Sequence, residues 1–457
     1  MILINLSGQA PTIAKAYVIE YETFRDAYSP PIRPGGLFQM PTVIDLFAGA
    51  GGFGLGFELA GFEVSLALEI DAWACDTLRY NHPTTTVIHA DIRDFSTPEA
   101  ILAANPIAPD IIIGGPPCQG FSIAGPARKD PSDPRNSLFI NFAAWVRQLQ
   151  PKVFIMENVA GLLSRRNADG EMVTEIIKRT FREELGYHVE IWRLNAAEYG
   201  VPQTRERIFI VGHHAPQAIG EPPPTHSLRV NNAQLMLLHE QMLEPAVTLW
   251  DAISDLPALH AGEGMEEQLY TSPPSTAFQL WARKGGNCLY NHVAMHHSAR
   301  LVERFKQIKP GESSADVVGV HAPRRRNGNG ELSSTSYDQN NRRLHPNKPS
   351  HTIAASFYAN FVHPYQHRNL TAREGARLQS FPDRYRILGK KTVVSQRLLH
   401  REERFDEKHL CQYNQVGNAV PPLLAKAIAE HIEKALPIQH ASDHTADVDD
   451  VMMRRVL

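Results

Sequence analysis

A cysteine behind two prolines is the residue of this chain best suited to act as a nucleophile. The segment IIIGGPPCQGFSIAG carries Cys118 directly after Pro116 and Pro117. Proline fixes φ, so the pair sets the direction of the backbone ahead of the thiol. A reactive thiolate must be exposed and aimed, whereas a structural cysteine is a small buried apolar residue. The local sequence leaves both readings open. Two further groups sit beside apolar runs in the same way. Glu157 closes PKVFIMEN, and Arg205 and Arg207 alternate in QTRER just ahead of IFIVG. Each has a plain role, as a strand-end acid in a hydrogen-bond network or as a surface ion pair.

A second group of residues fits a cofactor. The run TVIDLF leads into AGAGGFGLGFELAGF, where Gly49, Gly51 and Gly54 satisfy GxGxxG. Glu69 lies twenty residues after Gly49, at the end of the next β-branched run. Glycines let the backbone turn tightly and approach a ligand, and an acid at that distance can accept both hydroxyls of a ribose. An adenosine-containing cofactor is implied; on this pattern alone a nicotinamide dinucleotide is the default. Asp91, in HADIRDF, suits an adenine amino group or the cap of the following turn.

These residues need strands to carry them. TVIDLF, EVSLALEI, TTTVIHA, PDIIIGG, PKVFIMEN, HVEIWRL and RIFIVG read as buried strands. Candidate helices lie between several of them, at Ala72–Asn81, Ser137–Gln150 and Glu171–Leu185. The alternation predicts an α/β domain with a mostly parallel sheet, whose ligands bind beyond the carboxyl ends of the strands. After about His213 the chain becomes loop-rich, and order returns in Leu370–Phe381 and Pro421–Leu436. Two domains are expected for 457 residues.

Net charge is −3, so an interaction with nucleic acid has to be local. Residues 221–267 hold eight acidic and one basic side chain, and residues 283–350 hold twelve basic and five acidic. Four scattered cysteines show no zinc spacing and suggest a reducing compartment. The first residues lack the pattern of a secretion signal, and no apolar run approaches membrane-span length. A cytoplasmic protein is expected. His292, His296 and His297 in YNHVAMHHS hint at a metal, but no acid or thiol completes a set. Helix-surface histidines or DNA contacts are the better reading, and no metal is expected.

PPCQGFS after a buried strand resembles the catalytic loop of the DNA cytosine-5 methyltransferase family. DLFAGAGG, RNSLF at Arg135–Phe139, ENV at Glu157–Val159, QTRER at Gln203–Arg207, LTAREGARLQSFP at Leu370–Pro382 and QVGNAVPP at Gln415–Pro422 resemble further family motifs, in the family's order. Any one is modest; the ordered set is specific. It covers Thr42–Gly212 and about Arg342–Glu433.

The resemblance implies a Rossmann-like methyltransferase domain at 41–212, after an N-terminal extension at 1–40. A smaller irregular target-recognition domain would follow at 213–412, variable over about 213–341. Residues 413–436 would return to the catalytic domain, with a flexible tail at 437–457. The implied activity is DNA (cytosine-5-)-methyltransferase, using S-adenosyl-L-methionine on a flipped cytosine in a specific short duplex sequence. Cys118 would be the nucleophile, Glu157 the group stabilising N3, and Arg205 the electrostatic partner of O2. The donor would contact Asp45, Phe47, Gly49, Gly51, Glu69, Ile70, Asp91, Ile92, Pro116, Asn418 and Val420. Candidate DNA contacts are Gln119, Ser122 and Arg207, with Arg324, Arg325, Arg326, Arg342 and Arg343 in the basic stretch; for Arg207 a structural ion pair competes. A monomer is expected, serving a restriction-modification system with an endonuclease that it need not bind. A transfer-RNA cytosine-5 methyltransferase with the same core is the alternative. The charged stretch Arg384–Gln412 looks longer than the family pattern needs.

Overall fold

The computed structural model describes residues 40–106, 108–117, 138–167, 170–228, 243–324, 331, 340–392, 399, 401–404 and 409–436. All seven expected runs form strands of one sheet. They are β1 (Thr42–Leu46), β2 (Glu63–Glu69), β3 (Thr86–His89), β4 (Ile111–Gly114), β5 (Val153–Val159), β6 (His188–Asn195) and β7 (Glu206–His213). The spatial order is β3-β2-β1-β4-β5-β7-β6. β1 to β5 run parallel to one another, while β7 inserts antiparallel between β5 and β6. The central strands are buried on both faces, which is why they read as unbroken apolar runs rather than alternating ones. Strand order reverses between β1 and β4, and a crevice opens there at the carboxyl ends.

Helices cover both faces. α1 (Gly52–Leu59) follows the glycine loop, and α2 (Ala72–Asn81) spans the range expected for it. The expected helix at 171–185 is Val173–Arg179 followed by a π-helical turn, Thr180–Glu184. α1 packs on α5 (Pro422–Ala435) from the far end of the chain. A Cβ at Gly56 would sit 2.3 Å from the Ala425 Cβ, so glycine is what lets these helices touch.

A second lobe is built on its own apolar cluster, in which Leu249, Phe278, Leu289, Phe357 and Tyr413 are buried. It contains a two-stranded antiparallel ribbon, Gly264–Leu269 with Cys288–Val293, and the helix α3 (Ala372–Leu378). Thr371 and Glu374 form a reciprocal cap at the start of α3, as the spacing T-x-x-E favours. Every residue of α3 is buried, charged ones included. Arg377 reaches Asp383 and Asp255, and Arg368 pairs with Glu374 at 2.7 Å. α4 (Gln412–Asn418) leads from this lobe into α5.

Candidate active site

One cavity of about 910 Å³ occupies the crevice. Its walls come from the ends of β1 to β5 and from three remote pieces: Ala354–Ala355, Leu410 and Gly417–Val420.

The glycine loop forms one end. Phe47, Gly49 and Gly51 all have positive φ, at 60°, 55° and 77°. For Phe47 this is strained backbone, held by the structure around it. At Gly51 a Cβ would also lie 2.6 Å from the Tyr385 hydroxyl, so no other residue fits without movement. The loop is tied to Glu69. The N–H of Gly49 donates to Glu69 Oε2 at 2.8 Å, and the N–H groups of Ile70 and Asp71 donate to Oε1 at 3.0 and 2.9 Å. Burial raises the Glu69 carboxyl above its usual value against these donors. Asp45, beneath the loop, accepts from the Gly54 N–H at 3.1 Å, and burial pushes its carboxyl up to about 8. Asp91 takes the capping role, on the turn Ile92–Asp94, and also borders the cavity. Its ion pair with Arg93 holds it below the usual carboxylate range. Ile92 is buried, whereas Ile70 is 59% exposed at the rim.

The other end holds the charged groups. Pro116 and Pro117 line the cavity, and the Pro116 carbonyl accepts from Asn158 Nδ2 at 3.1 Å. Glu157 pairs with Arg207 Nε at 2.9 Å. Gly115 lets this carboxylate close in, because a Cβ there would meet Glu157 Oε2 at 3.3 Å. Arg205 is buried rather than a surface ion pair. Its Nη1 donates to Ile353 O at 2.8 Å and its Nη2 to Gly417 O at 3.1 Å, which pins two remote walls together. Its Nε has no partner among the described residues, and burial lowers its pKa to about 9. Gln203 is a buried hub, donating to Leu378 O and accepting from the Ile353 N–H.

All eleven expected donor contacts line the cavity or frame its loop, as do Glu157, Arg205 and Arg207. Cys118, Gln119, Ser122, Arg325 and Arg326 lie outside the described residues. Arg324 is exposed on the second lobe. Two expectations need correction. Arg343 is buried, not a phosphate contact. Its guanidinium donates to the carbonyls of Ile308, Phe305, His363 and Gln366 and so stitches loops together. His292 is not on a helix surface but in a buried strand, between Thr371 Oγ1 and Pro257 O, each 2.9 Å away. Burial lowers it to about 4. His297 instead accepts from the Asn369 N–H, and His296 is exposed. His188, Glu190 and His213 also lie close together. Both ring nitrogens of His213 are taken, by Glu190 and by the Ala215 N–H. Ala354, Ala355, Arg165 and Leu410 line the cavity without having been expected there.

Comparison with known proteins agrees with this architecture. The model of the family "C-5 cytosine-specific DNA methylase" matches residues 41–434. The chain is 46% identical over 391 residues to the type II methyltransferase M.DdeI of Desulfomicrobium norvegicum, covering 85% of this chain and 88% of that one. It is 38% identical over 394 residues to the type II methyltransferase M1.HphI of Haemophilus parahaemolyticus, covering 86% and 87%. A crystal structure described as a prophage-encoded DNA modification methyltransferase (E. coli) superposes with a TM-score of 0.61 at 27% identity, covering 87% of this chain and 99% of that one. The chain belongs to the C-5 cytosine-specific DNA methylase family.

Proposed function

We propose that the chain moves a methyl group from S-adenosyl-L-methionine to carbon 5 of a cytosine flipped out of a specific short duplex sequence. One observation carries this reading. The glycine loop with Glu69 and Asp91, and the Pro116–Pro117 face with Glu157, line a single cavity. Its volume suits a nucleoside-sized donor plus one base. The donor set fits too: Glu69 and Asp91 offer carboxylate oxygens to ribose and adenine, and Asn418 with Val420 closes the far end.

The donor supplies a methyl group on its sulfonium. The chain's residues make carbon 5 able to take it. The Cys118 thiolate adds to carbon 6 and forms a C–S bond, and negative charge spreads to carbon 5, N3 and O2. Glu157, oriented by Arg207, stabilises the ring at N3. Arg205 adds positive potential beside O2 while holding the 353 and 417 walls. After methylation, water removes the proton from carbon 5. The electrons restore the ring double bond and expel Cys118. The base must first leave the stack, at a cost of a few kcal/mol.

The protein is read as a cytoplasmic monomer acting on duplex DNA, as the modification half of a restriction system. Among the described residues no helix is long and apolar enough to cross a membrane. The test is transfer from labelled donor into mixed-sequence duplex DNA, wild type beside Cys118→Ser, followed by bisulfite sequencing. Marking of one short sequence by wild type alone supports the mechanism. Labelling of transfer RNA but not DNA overturns the choice of substrate.

A further inference from the structure

The charged stretch ahead of the last motif ends at the cavity. Leu410 lines it, together with Glu69, Ile70 and Asn418. Both backbone groups of Leu410 are tied. Its N–H donates to Asp71 Oδ2 at 2.8 Å, and its carbonyl accepts from Gln415 Nε2 at 2.9 Å. Asp71 thus faces two ways. Its own N–H donates to Glu69, and its carboxylate caps α2 through the Ala74 N–H while holding Leu410. His409 adds a second hold, with Nδ1 3.4 Å from Asp71 Oδ2 and its ring 5.4 Å from the Trp73 ring. Trp73 is itself fixed against Gly389, where a Cβ would come within 2.9 Å of it.

We propose that Leu410, latched to α2 by Asp71 and His409, is a donor-binding residue that forms the outer wall of the pocket beside the ribose acid. The inference rests on the reading of the cavity as a donor site. It gives a role to the end of a segment that the catalytic motifs leave unexplained. Its main chain is fixed on both sides where it borders the cavity, which suits its apolar side chain to form a wall there. An apolar wall excludes water from the bonds Glu69 makes. It stands beside the ribose acid, so it should act on donor affinity and not on the chemical step.

The experiment is calorimetric titration of S-adenosyl-L-homocysteine into wild type, Leu410→Ala, Leu410→Met and His409→Ala, with donor KM and kcat on duplex DNA. Removing apolar bulk from a snug pocket commonly costs tenfold or more. Leu410→Ala should therefore weaken binding about tenfold, and Leu410→Met should restore it to within about twofold. His409→Ala should weaken binding about threefold, since it loosens the latch and leaves the wall. KM for the donor should rise with kcat unchanged. Unchanged binding by a Leu410→Ala protein that unfolds at the wild-type temperature overturns the proposal, as does a fall in kcat at constant KM. If Leu410→Ala does not fold, unchanged binding by His409→Ala overturns it. Failure of wild type to bind the probe refutes the donor-site reading instead.

Discussion

Replacing Arg377 by methionine should cost roughly 3–5 kcal/mol of folding stability at neutral pH, near the lower end of that range. Arg377 is fully buried, and its guanidinium bonds Asp383 at 2.9 and 2.5 Å, Asp255, and the Ala252 carbonyl at 2.8 Å. Methionine keeps most of the volume, so the loss is electrostatic. Asp255 would retain Arg283 at 2.5 Å, whereas Asp383 would keep only the Tyr270 hydroxyl at 2.7 Å and Arg373 at 3.8 Å. One carboxylate is stranded, not two. Burial alone would raise the Asp383 carboxyl, but Arg377 outweighs it and holds it below its ordinary value. In wild type, then, the pair's contribution is present above the unfolded carboxyl value of about 3.9 and is lost as pH falls through the lower native value. In the variant burial is opposed only by Arg373 and the Tyr270 hydroxyl, and the native carboxyl moves up. Its penalty at pH 7 is relieved as pH falls. Urea unfolding at pH 7 and pH 5 should therefore show a gap between the two proteins that narrows on acidification. A loss below about 1 kcal/mol at pH 7, or a gap of constant size, would refute the argument.

Glu157→Gln should lower kcat by about a hundredfold or more with donor affinity retained, as removal of an electrostatic group does; single-turnover transfer measures it, and an unchanged rate removes Glu157 from the chemistry. Gly56→Val should destabilise by roughly 1–3 kcal/mol or more, because its side chain meets Ala425 and the Pro422 carbonyl; a wild-type urea midpoint would contradict the close packing of α1 on α5. Asp45 is protonated in the native state up to about pH 8. Its contribution is complete below the unfolded value of about 3.9 and is lost as pH rises through the native one. Wild type should lose more stability than Asp45→Asn between pH 5 and 8, by at most about 1.4 kcal/mol per pH unit, and parallel profiles would show that Asp45 does not titrate there.

Local pattern carried much of this molecule. β-branched runs located all seven strands, and the twenty-residue interval from Gly49 to Glu69 located the loop and its acid, which bond directly. What stayed hidden depends on partners far along the chain. The insertion of β7 between β5 and β6 is a long-range pairing with no local signature. Arg343 and the arginines of α3 look like solvent-facing charge in sequence. They are buried because remote carbonyls, Asp255 and Asp383 receive them. Leu410 reaches the cavity with its main chain held by Asp71 and Gln415, and Ala354 follows Ile353, whose carbonyl takes the Arg205 guanidinium.

The cavity is closed by pieces at opposite ends of the chain: a Cβ on Gly52 would sit 2.3 Å from the Val420 carbonyl. During synthesis the glycine loop leaves the ribosome long before that wall exists. At about 5–20 residues per second the interval is roughly 20 s to over a minute. For that time the growing chain has the glycine loop but not the wall that closes the cavity over it. A product cut short before Leu410 would carry Cys118, Glu157 and every glycine of the loop, and still lack the wall that closes the cavity.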